Sequence, residues 1–190
     1  MPQFDLRGIK IANYVNTAGT ITYTSAQTLG DAMNVNLEVR VAEGRLYAES
    51  TLAEYMRKIV GGTLSIGVKY IPTNAQKAMF GSTDKARTVS GSTVSGLLIG
   101  GTDTPKYVGV AFYAPDMVDG VEKYTCVKVA KALFGQPSMS LQTAGENIQF
   151  NTPTVTGEFL ADDSTDKAMV EVAVCDTETT AKAWVTAVLQ

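Results

Sequence analysis

Histidine is absent from the 190-residue chain, and that one absence removes several chemistries together. No Ser-His-Asp or Cys-His catalytic arrangement can be built, no imidazole can hold a metal, and no histidine switch can operate near neutral pH. Cysteine is almost as scarce. Cys126 and Cys175 each sit inside strand-like apolar runs, and the opening residues MPQFDLRG carry no apolar signal segment. Both cysteines therefore read as free, small apolar residues of a chain that folds in a reducing cytoplasm, rather than as a bridge. No apolar run approaches the roughly 20 residues that a membrane-spanning helix needs. Charge is low as well: 16 basic against 19 acidic residues give a net charge of -3. A nucleic-acid clamp needs clustered Lys and Arg to displace counterions from phosphate, and scattered basic residues do not supply that.

With 45% hydrophobic residues and 18% charged, the chain is a folding one, and its length suits one domain over 1–190 with a core that needs no covalent staples. The strongest local signal is alternation. From Met33 to Val41, the residues Met33, Val35, Leu37, Val39 and Val41 share one face, and Asn34, Asn36, Glu38 and Arg40 share the other. This is the period of a strand with one buried and one wet face. Ala42 to Arg45 then reads as a turn, with Leu46 starting the return of a long hairpin. Ser50 to Val60 fits a helix opened by a Thr51/Glu54 capping box, or a loop plus strand. The loop plus strand is preferred because Gly61-Gly62 follows as a turn. Leu64, Ile66, Val68 and Tyr70 then alternate with Thr63, Ser65, Gly67 and Lys69.

A helix is expected over Thr73 to Phe80, capped by Thr73 or Asn74 and ended by Gly81. Ser82 to Gly101 reads as a Ser/Thr/Gly-rich loop holding one short strand near Val94 to Ile99. Tyr107 to Tyr113 is a strand with Val108, Val110 and Phe112 inward, Ala114 to Gly120 a turn, and Tyr124 to Ala130 its return. The stretch GENIQFNTPTVTGEF, Gly145 to Phe159, again splits into two faces. Ile148, Phe150, Val155 and Phe159 point inward; Asn147, Gln149, Asn151, Thr154, Thr156 and Glu158 point out. A last strand over Met169 to Cys175 precedes a short terminal helix with Ala181, Trp184, Val185 and Val188 as its stripe. The sum is eight or nine strands. The fold class is mainly β, an antiparallel sandwich or barrel-like arrangement with one helix packed on it and a short helix at the C-terminal end.

No constellation in this pattern carries chemistry. Glu146 and Glu158 could be imagined as a glycosidase pair, but such a pair needs a cleft and aromatic platforms, and the single Trp184 is far away in sequence. GLLIGG at 96–101 lacks the lysine and helix context of a phosphate loop. Asp116 and Asp119 miss the spacing of a calcium loop. The reading is a protein that is not an enzyme and takes no cofactor or metal. Its strands hold few Lys or Arg to guard exposed edges, which favours assembly by strand pairing.

The order of these features resembles the major tail protein of long, non-contractile phage tails. The matching residues are Asp103 and Pro105 leading into a strand that ends at Phe112-Tyr113, then Gly120 and Tyr124 in the returning hairpin, then Leu133-Phe134. A closing block follows at Gly145, Glu146, Ile148, Phe150, Thr152, Pro153, Val155, Gly157 and Phe159. Leu46-Tyr47-Ala48-Glu49 and Ala183-Trp184-Val185 have counterparts too, whereas Ser50 to Val60 and the segment around 82–96 depart from the pattern. The resemblance implies a phage tail tube fold without an appended immunoglobulin-like domain. Six copies would pair strands into a ring with a continuous inner β-barrel, and rings would stack helically as the virion tail, assembled in the host cytoplasm. Implied partners are further copies of the chain, a tape measure protein, terminator and tip proteins, and double-stranded DNA in transit; no membrane is implied. On this reading Asn34, Asn36, Glu38, Arg40, Asn147, Gln149, Asn151, Thr154, Thr156 and Glu158 face the lumen. Val35, Leu37, Val39, Val110, Phe112, Ile148, Phe150, Val155 and Phe159 form the core. The alternatives are a β-sandwich binding module such as a surface or virion adhesin, the tube of a contractile tail or tail-like bacteriocin, and, least of all, a ligand-carrying barrel.

Overall fold

The computed structural model describes residues 5–118, 120–138 and 152–190. Ile148, Phe150, Asn147, Gln149, Asn151, Glu146 and Asp119, all assigned above from sequence, lie outside the described residues. Within them are ten strands and two helices: β1 (Arg7–Thr17), β2 (Thr20–Thr28), β3 (Ala32–Ala48), β4 (Thr51–Val68), α1 (Thr73–Phe80), β5 (Thr83–Val89), β6 (Ser92–Leu98), β7 (Val108–Val118), β8 (Val121–Phe134), β9 (Thr154–Leu160), β10 (Val170–Cys175) and α2 (Glu178–Ala187). Every pairing is antiparallel. The protein is mainly β with two helices packed on the sheet.

The main sheet runs β2-β1-β7-β8-β9-β4-β3, and β10 also pairs with β8. Strand β8 serves two neighbours in succession. Tyr124 to Val129 pair with β10, and Lys131 to Phe134 pair with β9. Ala130 is the pivot: its N–H donates to the Met169 carbonyl at 2.9 Å, and its carbonyl accepts from the Tyr23 hydroxyl at 2.9 Å. One face of the sheet closes on Ile9, Ile11, Leu64, Ile66, Val108, Val110, Val129, Phe134, Val155 and Phe159, with α1 contributing Met79 and Phe80. Strands from opposite ends of the sheet share this core, so the sheet curls around it. On the other face α2 lays Ala181, Val185 and Leu189 over Ala12, Tyr23, Ala111, Tyr113 and Cys126. The predicted α2 stripe is in place, and Thr177 caps its start by accepting from the Thr180 N–H.

Several sequence expectations are corrected. There is no turn at Ala42 to Arg45: β3 runs on to Ala48, and the reversal is at Glu49-Ser50, both with φ positive (50° and 65°). That is the conformation a two-residue hairpin turn requires, so the local twist outweighed the poor fit of these residue types. Within Ser50 to Val60 the expected strand is present and no helix forms, but there is no loop beyond the turn residue Ser50: the strand starts at Thr51 as the first half of β4. Gly61-Gly62 is not a turn but lies within β4, where Arg40 opposes Gly61 and Val41 opposes Ile59, leaving Val60 as an inserted bulge residue. Glycine is required there because the Phe159 ring lies against Gly62, where a Cβ would overlap both that ring and the Glu38 carbonyl. Ser82 to Gly101 is not a loop with one strand; β5 and β6 pair as a separate two-stranded sheet. Pro115 to Met117 belong to β7 rather than to a turn. Beyond Tyr113 the β1 partner has ended, so the missing Pro115 N–H costs no ladder bond. The N-cap of α1 is Pro72, without a side-chain cap from Thr73 or Asn74, whereas Gly81 ends the helix in the left-handed conformation as expected.

The core list also changes. Val110, Phe112, Val155 and Phe159 are buried, while Val35 and Leu37 are half-buried against the core edge. Val39, counted as core from its parity, is 47% exposed. Its strand has the right phase, but at Val39 the hairpin is leaving the body and, among the described residues, no second layer covers it.

Candidate functional site

Strand pairing brings the polar residues of β3 and β9 to one surface with β4 between them. In register, Asn34, Asn36, Glu38 and Arg40 oppose Gly67, Ser65, Thr63 and Gly61. Gly67, Ser65 and Thr63 in turn oppose Thr154, Thr156 and Glu158. Partners across a ladder share a face, so the seven predicted outward residues that are described do lie together. Asn34, Asn36, Glu38, Arg40, Thr154, Thr156 and Glu158 are all exposed. Thr63 and Ser65 complete the surface and were not singled out from sequence. Their alternation with Leu64 and Ile66 was visible, but the strand order that puts β4 in the middle was not.

Hydrogen bonds knit this face laterally. Ser65 Oγ and Thr156 Oγ1 are 3.2 Å apart, and Asn36 Nδ2 donates to Glu38 Oε1 at 3.1 Å. The Asn34 Oδ1 accepts from the Gly67 N–H at 3.0 Å. Arg40, the only cation among these residues, reaches across the side-chain-free Gly61 to Glu158, Nη2 to Oε1 at 2.9 Å. With Glu38 also present, the face is polar, slightly acidic and without an unneutralised cation.

Past Gly62 the same hairpin changes character. From Val41 to Ile59 the two strands, among the described residues, pair only with each other and project as a ribbon. An isolated two-stranded ribbon is marginal in water, yet this one exposes Leu46 (58%), Tyr47 (60%), Met56 (73%), Leu52 and Tyr55. One side is locally neutralised: Glu43 bridges Arg45 and Arg57, and Arg45 lies over the Tyr55 ring at 5.6 Å. The β5–β6 hairpin is a second such ribbon, exposing Val89, Val94 and Leu98. The terminal strands of the main sheet, β2 and β3, contain no Lys or Pro, the residues that usually guard open edges.

Elsewhere the ionic groups are structural ties. Glu178 accepts from Arg7, Tyr113 and Lys182, joining β1 and β7 to α2, and these partners hold its carboxyl below the usual range, Lys182 most strongly. Burial, and then the bond to Glu178, push Tyr113 up to about 12. Lys131 bonds Asp163 at 2.7 Å and lies against the rings of Tyr14 and Tyr107. Cys126 and Cys175 are free and buried, with Sγ atoms 3.7 Å apart, and burial pushes the Cys126 thiol up to about 12. Asp116 is buried within β7. A groove of about 290 Å³ between β1 and α2 is lined by Gly8, Lys10, Tyr113 and Lys182 among others, with Lys10 held to Thr186 at 2.8 Å. Among the described residues no three metal-ligating side chains cluster, and no helix is long and apolar enough to cross a membrane. No protein-family model matches the chain, and no curated protein matches it significantly.

Proposed function

We propose that this chain is the tube-forming subunit of a long, non-contractile phage tail, stacked as hexameric rings around a bore that conducts double-stranded DNA. The observation that carries the reading is the two-part β3–β4 hairpin. Its inner half belongs to a polar face whose one arginine is neutralised, and its outer half is a ribbon that leaves Leu46, Tyr47, Leu52, Tyr55 and Met56 in water, surface that another chain would cover. A conduit surface and an assembly arm thus lie on one element.

The open edges of β2 and β3 support closure of a ring by strand pairing between copies, which removes exposed edges. Head-to-tail burial of the ribbons is a heterologous contact, the kind that propagates into filaments. In the bore, hydroxyls, amides and a slight acidic excess suit DNA in transit, because each free cation adds a salt-dependent phosphate contact that slows sliding. Tape measure, terminator and tip proteins would be the further partners of such a tube.

Electron cryomicroscopy of the purified full-length chain at rising concentration tests this. Rings or tubes of uniform bore are expected, with β9, β4 and β3 turned inward. A chain that stays monomeric at high concentration, alone and with native tail components, overturns the reading.

A further inference from the structure

The groove between β1 and α2 is opened by an irregularity in β1. Arg7 opposes Tyr113 and Lys10 opposes Ala111, so three steps along β1 match two along β7, the one-residue excess of a β-bulge. Gly8 stands in that bulge in the left-handed conformation, at φ 65°, and a Cβ there would overlap the Tyr113 ring. The ring therefore lies against the β1 backbone and, with Val185 of α2, gives the groove of about 290 Å³ its apolar walls. Lys10, just past the bulge, is half-buried and lines the groove with Thr186 and Lys182. The Thr186 hydroxyl donates to the Lys182 carbonyl at 2.9 Å and accepts from Lys10 Nζ at 2.8 Å. That bond holds the ammonium in place and leaves two of its three N–H donors without a partner among the described residues. The charged groups around the groove are Arg7, Lys10 and Lys182 against Asp5 and Glu178. Arg7 pairs with both carboxylates and Lys182 pairs with Glu178. Among the described residues Lys10 has no carboxylate in salt-bridge range, so the surplus at the groove is one positive charge.

We propose that this groove binds a small organic acid, with its carboxylate on Lys10 Nζ and its apolar body between the Tyr113 ring and Val185. One unpaired ammonium matches one carboxylate, and a charge-assisted hydrogen bond of this kind is roughly twice as strong as a neutral one. The occupant is a small molecule rather than a peptide because the groove offers no main chain to pair with. Strand β1 is already bonded on both sides, to β2 and to β7, so an added strand would find no ladder to join. The volume also suits a ligand of single-ring size, at the small end of ligand pockets. No residue of the groove belongs to the polar face or to either ribbon, so the site goes beyond the tube reading and is tested separately from it.

Equilibrium dialysis of the full-length chain against benzoate is the test. Saturable binding is expected, one molecule per chain, with a Kd of about 1 mM or tighter. Benzyl alcohol, which keeps the ring without the charge, and acetate, which keeps the charge without the ring, are each expected to bind about tenfold more weakly or worse. Lys10→Met removes the ammonium and keeps the stem, and should weaken benzoate about tenfold or more, whereas Lys10→Arg should hold it within about threefold. Thr186→Val, which loses the group that positions Lys10, should weaken it about threefold. Lys85→Met, on the β5–β6 hairpin, is the control and should leave it unchanged. No saturable benzoate binding overturns the site. So does benzyl alcohol that binds as tightly as benzoate, a comparison made on the wild-type chain alone. A Lys10→Met chain that melts like wild type and binds benzoate unchanged overturns it as well. A glutamate-containing peptide that binds where benzoate does not overturns the small-acid assignment.

Discussion

Reversing one charge on the polar face, Glu158→Lys, separates a DNA conduit from an ordinary wet surface. The Arg40 and Glu158 side chains are 59% and 62% exposed, with their nitrogen and oxygen 2.9 Å apart. An exposed pair of this kind contributes about 0–1 kcal/mol to stability. Losing it should lower the melting temperature of a chain this size by no more than about 4 °C, so folding and assembly survive. Electrostatics change more. The substitution frees Arg40 and adds a lysine beside it, turning a face with one net negative charge into one with a net positive charge. Each phosphate neutralised on duplex DNA gives a slope of about -0.9 in log K against log salt. If only three phosphates are engaged per ring, affinity falls about 40-fold between 50 and 200 mM salt.

The assay is duplex retention by assembled tubes across that salt range, with Glu122→Lys as a control that makes the same charge change away from the face. Wild-type and control tubes should retain little DNA, and Glu158→Lys tubes should retain it at low salt and release it steeply as salt rises. In particles that carry the substitution, DNA ejection should slow. Retention by Glu158→Lys tubes equal to that of the control, with no salt dependence of its own, would refute the placement of β9, β4 and β3 on the lumen.

Other outcomes follow from packing and ionisation. Gly62→Ala should destabilise the protein by about 1–3 kcal/mol because its Cβ overlaps the Phe159 ring and a backbone carbonyl, whereas Gly44→Ala, with nothing within 4 Å, should be near neutral; paired thermal melts compare them. Phe159→Ala removes a ring that is 1% exposed and should cost about 3–5 kcal/mol, read from denaturant titration. In an alkaline absorbance titration Tyr113, pushed up to about 12, and Tyr23, raised further by burial, should ionise well above the usual tyrosine range. Their folded values lie above the unfolded one near 10, so the stability they confer is complete below about pH 10 and is lost as pH rises through about 12. Thiol reagents at neutral pH should label neither cysteine until the chain unfolds, since both are buried and the Cys126 thiol is pushed up to about 12.

Much of the fold could be read from alternation, and the misreadings share one physical cause. Period-two patterning reports which way side chains point, not what they point at. Asn34 to Arg40 and Thr154 to Glu158 were assigned to a wet face correctly, because a strand half buried in a core leaves its polar residues no other side. Val39 carried the same phase and was still misplaced, because parity continues along a strand after the underlying layer has ended. In Ser50 to Val60 the opposite problem leaves helix and strand both open: a loop plus strand is the preferred reading, but both faces of that ribbon are mixed, so no buried stripe shows that the strand starts as early as Thr51. Gly61-Gly62 reads as a turn from composition alone, and only the long-range packing of Phe159 explains why glycine stands in mid-strand. The position of β4 between β3 and β9 was likewise unreadable, because it depends on pairing between residues about ninety positions apart.

The segments hardest to read are also those that bury least of their apolar surface. Within the body, each element's preference agrees with its burial: β4 is regular from Gly62 to Val68, where Leu64, Ile66 and Val68 are fully buried. In the two ribbons this agreement fails, since Leu46, Met56, Val94 and Leu98 are apolar and face water. A sequence consistent across levels specifies its structure alone, and departures concentrate where function imposes a second requirement. Here the departures are not scattered. They fall on the two projecting hairpins, while the polar sheet face formed by β3, β4 and β9 has no free cation. On the proposed reading, the missing stabilisation would come from contacts between chains, made by residues different from the ones expected to meet DNA. Met56→Asp and Glu158→Lys should therefore separate cleanly: the first impairs assembly with DNA retention unchanged in whatever tubes form, and the second alters DNA retention with assembly intact.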